Sequence, residues 1–210
     1  MPSFFRQGVV GVSTMALNFN ARLYGDAAVA AMSIVSKVFV TVQSVVIGFG
    51  QGFQPVCSYC FGAGLYDRVK KACWFCIRVS TIILLVLSVI SFPAARSIIT
   101  LFRRNDPTVI EIGTLALRLQ LITLPLQGAV IMGNMMPQSI GYGFRATLVS
   151  TARQGIFLIP LLTIMTYTIG LLGIQCAQPL ADIATFILSL FVIRGIFKEF
   201  PEDASSFAAQ

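Results

Sequence analysis

Apolar residues fall into six long runs, at 5–24, 28–61, 72–92, 109–136, 146–167 and 174–195, with short polar or glycine-containing breaks between them. A helix needs ~20 mostly apolar residues to cross a bilayer, and each run reaches about that length. The first run is the most polar, carrying Ser13, Thr14, Asn18 and Asn20. The second is longer than one untilted crossing requires. It is expected to project beyond the bilayer or to bend near Gly48, Gly50, Gly52 and Pro55. The breaks are a turn at Tyr24-Gly25-Asp26, a loop over 62–71, a connector over 94–107 with Arg96, Arg103 and Arg104, a turn at Gly141-Tyr142-Gly143, and another over 170–173. The pattern predicts an all-α integral membrane protein: one six-helix transmembrane unit over 1–197 and a polar tail over 198–210.

Composition supports this. Of 210 residues, 56% are hydrophobic and 11% charged, against roughly 25% charged in soluble domains. The net charge of +7 does not point to nucleic acid, because the basic residues sit between apolar runs. Arg6, Arg68, Lys70, Lys71, Arg78, Arg145, Arg194 and Lys198 fall on one side, and Arg22, Arg96, Arg103 and Arg104 on the other. By the positive-inside rule this places both termini in the cytosol.

Candidate chemistry begins at Gly48. Gly48 and Gly52 form a GxxxG pair, a pattern that lets membrane helices approach closely. Gly50 and Pro55 add weak points to the same helix. Gln51 and Gln54 place amides where polar groups are costly unless paired or facing a cavity. Gln120 and Gln127 do the same in the fourth run, and Asn18 and Asn20 in the first. Lys37, Arg118 and Arg153 are basic residues within runs, and Asp182 is the acid within one. Intramembrane ionisable residues mark candidate functional sites. Asp182 is expected to pair with Lys37 or Arg153, or to face a wet cavity that binds a proton or substrate. Arg118 is expected to snorkel or to lie beside a cavity.

Histidine is absent, which removes His-based metal sites and triads. Cys57, Cys60, Cys73 and Cys76 form two CxxC pairs, but the gap between them is shorter than zinc sites use. Their apolar helical setting suits packing instead. No metal, no other cofactor and no catalytic residue is expected. GxGxxG, P-loop and HExxH motifs are all absent.

The stretch AAVAAMSIVSKVFVTVQSVVIGFGQGFQPVCSYCFGAGLYDRVKKA, from Ala27 to Ala72, resembles the multidrug and toxic compound extrusion (MATE) transporters. So do STARQGIFLIPLLTIM from Ser150 and GLLGIQCAQPLADI from Gly170. Arg153-Gln154, Pro160 and Pro179-Leu180-Ala181-Asp182 are similar to the bacterial branch associated with proton coupling. Such transporters have twelve spans in two six-helix lobes, and the resemblance covers only the second. It implies ion-coupled antiport, driven by a proton or sodium gradient, that exports small amphipathic or cationic solutes across a bacterial inner membrane. It further implies a fragment whose N-terminal lobe is missing, or a half-protein that pairs with a second copy of itself. Sodium-coupled relatives use acids in the first and fourth spans of this lobe. Here those spans carry Asn18, Asn20, Gln120 and Gln127. The alternatives are a lipid-linked oligosaccharide flippase of the same superfamily and a non-transporting six-span scaffold.

Overall fold

The computed structural model describes residues 2–103 and 106–200, and among these every regular element is helical. Helix α1 (Pro2–Arg22) leads into two helices of 37 residues, α2 (Asp26–Gly62) and α3 (Tyr66–Phe102). Helix α4 (Pro107–Thr123) passes through a 3-10 turn at Leu124–Leu126 into α5 (Gln127–Ser139). Helix α6 (Gly143–Thr151) widens into a π-helical segment, Ala152–Leu158, and continues as α7 (Ile159–Ile169). Helix α8 (Leu171–Glu199) closes the bundle.

Five stretches are long and apolar enough to cross a membrane: Asp26–Gly62, Tyr66–Phe102, Pro107–Ser139, Gly143–Ile169 and Leu171–Glu199. Helix α1 does not join them, as its hydroxyls and amides lower its hydropathy. At 1.5 Å per residue, α2 and α3 are each about 55 Å long. They outrun a hydrocarbon core of about 30 Å.

Several helix ends differ from the apolar runs. The connector expected over 94–107 is helical as far as Phe102, despite Pro93. The loop expected over 62–71 is only the short turn around Gly64, so Lys70 and Lys71 lie on α3. Polarity does not end these helices; they continue into the interfacial layer, where charged side chains are solvated. Asp106 caps α4 through the Val109 N–H, and Pro107 starts the helix. Lys198 and Glu199, expected in the tail, finish α8, and Phe200 is buried. The rest of that tail, 201–210, lies outside the described residues, as does Arg104.

Four turns, at Gly25, Gly64, Gly141 and Gly170, place glycine at positive φ. Gly64 sits at φ +73° between α2 and α3. Gly170 sits at φ +71° between α7 and α8, and beside it the Tyr24 hydroxyl donates to the Thr166 carbonyl at 3.2 Å, tying the end of α1 to α7.

The core follows helical spacing. On α2 it includes Met32, Val35, Phe39, Val46, Phe53 and Cys57; on α3, Val69, Cys73, Cys76, Ile77, Leu84, Ala95 and Ile99. The cysteines are thus packing residues. No group of three His, Cys, Asp or Glu among the described residues converges to hold a metal. The opposite faces of α2 and α3 expose Val40, Val45, Val56, Ile82, Val86, Val89 and Ile90, an arrangement suited to lipid. Between helices in lipid, close packing takes over the role that burial from water plays in soluble cores. Glycines mark the close approaches, the tightest at Gly173, where a Cβ would run into the Met165 backbone carbonyl. A Cβ on Gly128 would lie 2.9 Å from both the backbone nitrogen and Oγ1 of Thr81, and one on Gly133 would lie 3.0 Å from Ser189 Cβ.

Candidate functional site

The two interrupted segments place the polar residues. Pro125 lacks an N–H, so it cannot bond the carbonyl of Leu121 four residues back. That carbonyl accepts instead from the Leu124 N–H within the tightened turn and from Ser88 Oγ on α3, the latter at 2.6 Å. The chain tightens to 3-10 geometry there and resumes as α5 with Gln127 as its first residue. Pro160 acts similarly on the other segment. It cannot bond Ile156, and the turn preceding it widens to a π-helix containing Arg153 and Gln154. Ser13 Oγ of α1 donates to the Gln154 carbonyl at 2.7 Å. Such π-helical turns occur often at functional sites.

These breaks bring together residues far apart in sequence. Arg153 Nε donates to Asp182 Oδ1 on α8 at 2.8 Å. Asp182 is 2% exposed, and the Arg153 side chain 22%. The guanidinium lies 5.4 Å from the centre of the Phe39 ring on α2, a cation–π contact. Gln43 Nε2 donates to Gln127 Oε1 at 3.0 Å, joining α2 to α5. Gln120 Nε2 donates to Gln178 Oε1 at 2.9 Å, joining α4 to α8. The Gln127 amide lies beside Asp182. Even so, Gln127 Nε2 and Asp182 Oδ2 are both buried without a hydrogen-bond partner, as are Gln120 Oε1 and Gln154 Oε1. Unpartnered buried polar groups are rare in native structures because each carries a desolvation cost. Four in one cluster suit a site made to receive water, a proton or a ligand.

Cavities open on this cluster. One of them, about 430 Å³, is lined by Gln43, Gln127, Asn134, Ser150, Arg153 and Gln154, with Ile47, Ile131 and Met135 among its apolar walls. Drug-binding pockets commonly have about this size and mix of surface. Asn134 Nδ2 donates to Ser150 Oγ, holding α5 against α6 at its wall. A cavity of about 150 Å³ lies on the α1 side, lined by Ser13, Phe39, Gln120 and Gln178, and it shares Gln43, Arg153 and Gln154 with the first.

Of the residues singled out in the sequence, Gln120, Gln127, Arg153 and Asp182 meet in this cluster. The others lie apart. Lys37 is exposed on α2 in a shallow groove with Thr41 and Phe102. The partner of Asp182 is therefore Arg153: Lys37 projects from the outer face of its helix. Asn20 donates to Ala16 on its own helix, at 2.9 Å. Asn18 is half-buried on α1. Gln54 reaches Gln138 at 3.4 Å, and Gln51 is exposed. Arg118 is exposed, its guanidinium 5.5 Å from the Phe92 ring centre.

The glycine reading needs correction. Gly48 and Gly52 face outward, and a Cβ at either would meet nothing within 4 Å, so the GxxxG pair makes no helix contact within this unit. The close approach is at Gly50, where a Cβ would run into Met135. Helix α2 also runs on as α-helix through Pro55. Gln178, Phe39 and Gln43 complete the site but carried little signal. Gln178 is one turn before Asp182 on α8, and that spacing is the cue that could have found it.

The sequence model of the MatE family matches residues 2–164. The chain belongs to the MatE family. It is 25% identical over 206 residues to "Multidrug export protein MepA" of Staphylococcus haemolyticus, covering 98% of this chain and 45% of that protein. The protein of the same name from Staphylococcus saprophyticus is 26% identical over 192 residues, covering 91% of this chain and 42% of the relative. The fold matches the bent form of the Vibrio cholerae MATE transporter VcmN, with TM-score 0.88, 18% identity, and coverage of 94% of this chain and 45% of that one. It also matches a MOP superfamily transporter from Pyrococcus furiosus, with TM-score 0.89, 19% identity, and coverage of 95% and 45%. The chain thus spans under half the length of these proteins, the extent of a single lobe.

Proposed function

We propose that this chain acts as the second lobe of a multidrug exporter in a bacterial cell membrane, where an ion gradient, of protons in our reading, drives amphipathic or cationic solutes outward. The observation that carries this reading is the polar cavity at two helix breaks, walled by Arg153, whose guanidinium pairs with Asp182, and by the surrounding amides. Interrupted helices around a polar site deep in the bundle are the usual architecture of alternating-access transporters. Their broken turns bend at lower cost than intact helix. Membership of the MatE family and likeness to proteins named for multidrug export support the same reading. In it the chain crosses the membrane six times, α1 included, with both ends in the cytosol. A first lobe, or a second copy of this chain, supplies the facing wall. Transport needs no catalytic residue and no cofactor beyond the gradient.

The test is ethidium efflux from drug-sensitive bacteria. Cells expressing residues 1–210 together with a related first lobe should show efflux that collapses with the gradient. Cells expressing residues 1–210 alone should not. Robust efflux from the lone chain, with crosslinking that finds only monomers, would overturn the paired-lobe reading. Single cysteines at Arg68→Cys and Arg103→Cys should label from opposite sides of the membrane.

A further inference from the structure

We propose that the groove where α3 meets α4 binds the phosphate of an anionic phospholipid, with Arg96 and Arg118 as its donors; this goes beyond the exporter reading and depends only on the two helices spanning a membrane. The helices run in antiparallel register there. Ser88 on α3 bonds the Leu121 carbonyl on α4. One turn further along, Phe92 meets Arg118. Further still, a Cβ on Gly113 would come within 3.2 Å of Ile99. Arg96, four residues after Phe92 and three before Ile99, therefore falls beside this groove at the level of Leu115. Side chains lean toward the N-terminus of their own helix. On antiparallel neighbours, Arg96 and Arg118 thus lean toward each other's level.

Both arginines are exposed, and so are the apolar Val89, Phe92, Leu115 and Ile122 around them. The Arg118 guanidinium lies 5.5 Å from the centre of the Phe92 ring. Among the described residues the ion pairs are Arg145–Glu199 and Arg153–Asp182, so no carboxylate neutralises either arginine. Glu111, two turns from Arg118 on the same face of α4, does not pair with it. A charge facing hydrocarbon is costly without a partner, and the Phe92 ring offers a π-face but no anion. Height decides what supplies the anion. Arg78 and Arg96 bracket an uncharged stretch of α3. At about 1.5 Å per residue it rises about 27 Å, close to the ~30 Å of a hydrocarbon core. Arg96 therefore stands at the headgroup layer. Arg118 starts about one turn deeper, within reach of that layer for a snorkelling side chain. The anions at that height are lipid phosphates. Two guanidiniums facing one phosphate make charge-assisted, forked hydrogen bonds, while acyl chains lie along Val89 and Ile122. A zwitterionic lipid brings its own ammonium beside the phosphate, so a net-anionic headgroup is favoured. The bound headgroup ties α4, the first half of an interrupted segment, to the continuous α3, adding to the Ser88–Leu121 bond one turn below.

The experiment reads the lipid at this groove by tryptophan quenching. Residues 1–210 carry one tryptophan, Trp74, near the other end of α3. A reporter chain with Trp74→Phe and Leu115→Trp moves it to an exposed position beside Arg118. The chain is placed in vesicles of phosphatidylcholine and phosphatidylglycerol, in which each lipid in turn carries dibrominated acyl chains. The reporter should prefer phosphatidylglycerol by about fivefold, the gain from one basic residue at an anionic surface. Arg96→Gln/Arg118→Gln should bring that ratio close to one, and Arg96→Lys/Arg118→Lys should keep most of it. In the chain that retains Trp74, the glutamine pair should leave quenching at Trp74 unchanged, as expected of an intact fold. Inorganic phosphate at millimolar concentration should not alter the preference at the Leu115→Trp reporter. Equal quenching by the two lipids at that reporter would overturn the proposal. So would a preference that survives the glutamine pair, or one that falls equally at Trp74. Loss of the preference on adding phosphate would assign the groove to a free anion and overturn the lipid. Neither gradient nor solute enters the readout, so its failure leaves the exporter reading standing.

Discussion

Helices α2 and α3 run unbroken for 37 residues each, whereas the α4–α5 and α6–α7 segments are interrupted halfway, though all four contain proline. Pro55 and Pro93 leave their helices continuous. Pro125 and Pro160 coincide with a 3-10 turn and a π-helical turn. Each interruption has a side-chain partner on a neighbouring helix. At the interruptions, hydroxyls on other helices reach in: Ser88 bonds the Leu121 carbonyl below Pro125, and Ser13 bonds the Gln154 carbonyl before Pro160. A membrane tolerates irregular backbone only where protein or a polar cavity satisfies it. Thus α2 and α3 serve as a rigid apolar frame, and the interrupted pair carries the polar cluster. Proline alone therefore does not decide where a helix breaks.

That contrast can be broken most severely at Asp182. Asp182→Asn leaves the Arg153 guanidinium without its counter-charge in a largely buried setting. Breaking such a pair costs about 3 kcal/mol, at the low end of the range because Arg153 keeps some exposure. Thermal unfolding in detergent should show the loss, and Arg153→Gln in the same chain should recover part of it. An unchanged melting temperature would mean that the pair contributes nothing to the packing of α8.

The next largest effect is expected where α3 meets α5. Gly128→Ala pushes a methyl against the Thr81 backbone nitrogen, which cannot swing aside. It should destabilise by about 1–3 kcal/mol, as overpacking does. Gly50→Ala meets the flexible Met135 side chain and should lose less, under about 1 kcal/mol. Chemical denaturation of the two variants side by side checks the order.

The compensation argument is sharpened by a double-mutant cycle. Ser88→Ala should lose about 1 kcal/mol, the value of one hydrogen bond. In a Pro125→Ala background the helix can donate its own N–H to Leu121, so the same change should have less effect. Equal losses in the two backgrounds would separate Ser88 from the break. The smallest effect is expected at Gly48→Ala, within about 0.5 kcal/mol, because nothing lies within 4 Å of the new methyl. A large loss there would place a contact on a face that this lobe leaves open.

Run lengths and charge made the helical membrane character legible in sequence, since a bilayer imposes a minimum length and excludes charge from its core. Arg153 and Asp182 stood out for the same reason: a charge in an apolar run is too costly to be incidental. The partner of Asp182 was not legible, because Lys37 and Arg153 are equivalent in hydropathy and differ only in which way their helix faces turn. Nor was the division of the glycines. Gly48, Gly50 and Gly52 are identical in sequence terms, yet only Gly50 lies against Met135. Helix ends were misplaced at Pro93 and Lys70 because hydropathy follows the bilayer, whereas a helix runs on for as long as its backbone hydrogen bonds can be made. The sequence thus determined that these helices cross a membrane and which polar groups must find partners. Rotation of each helix about its axis, set by close packing in three dimensions, decided which of those groups meet.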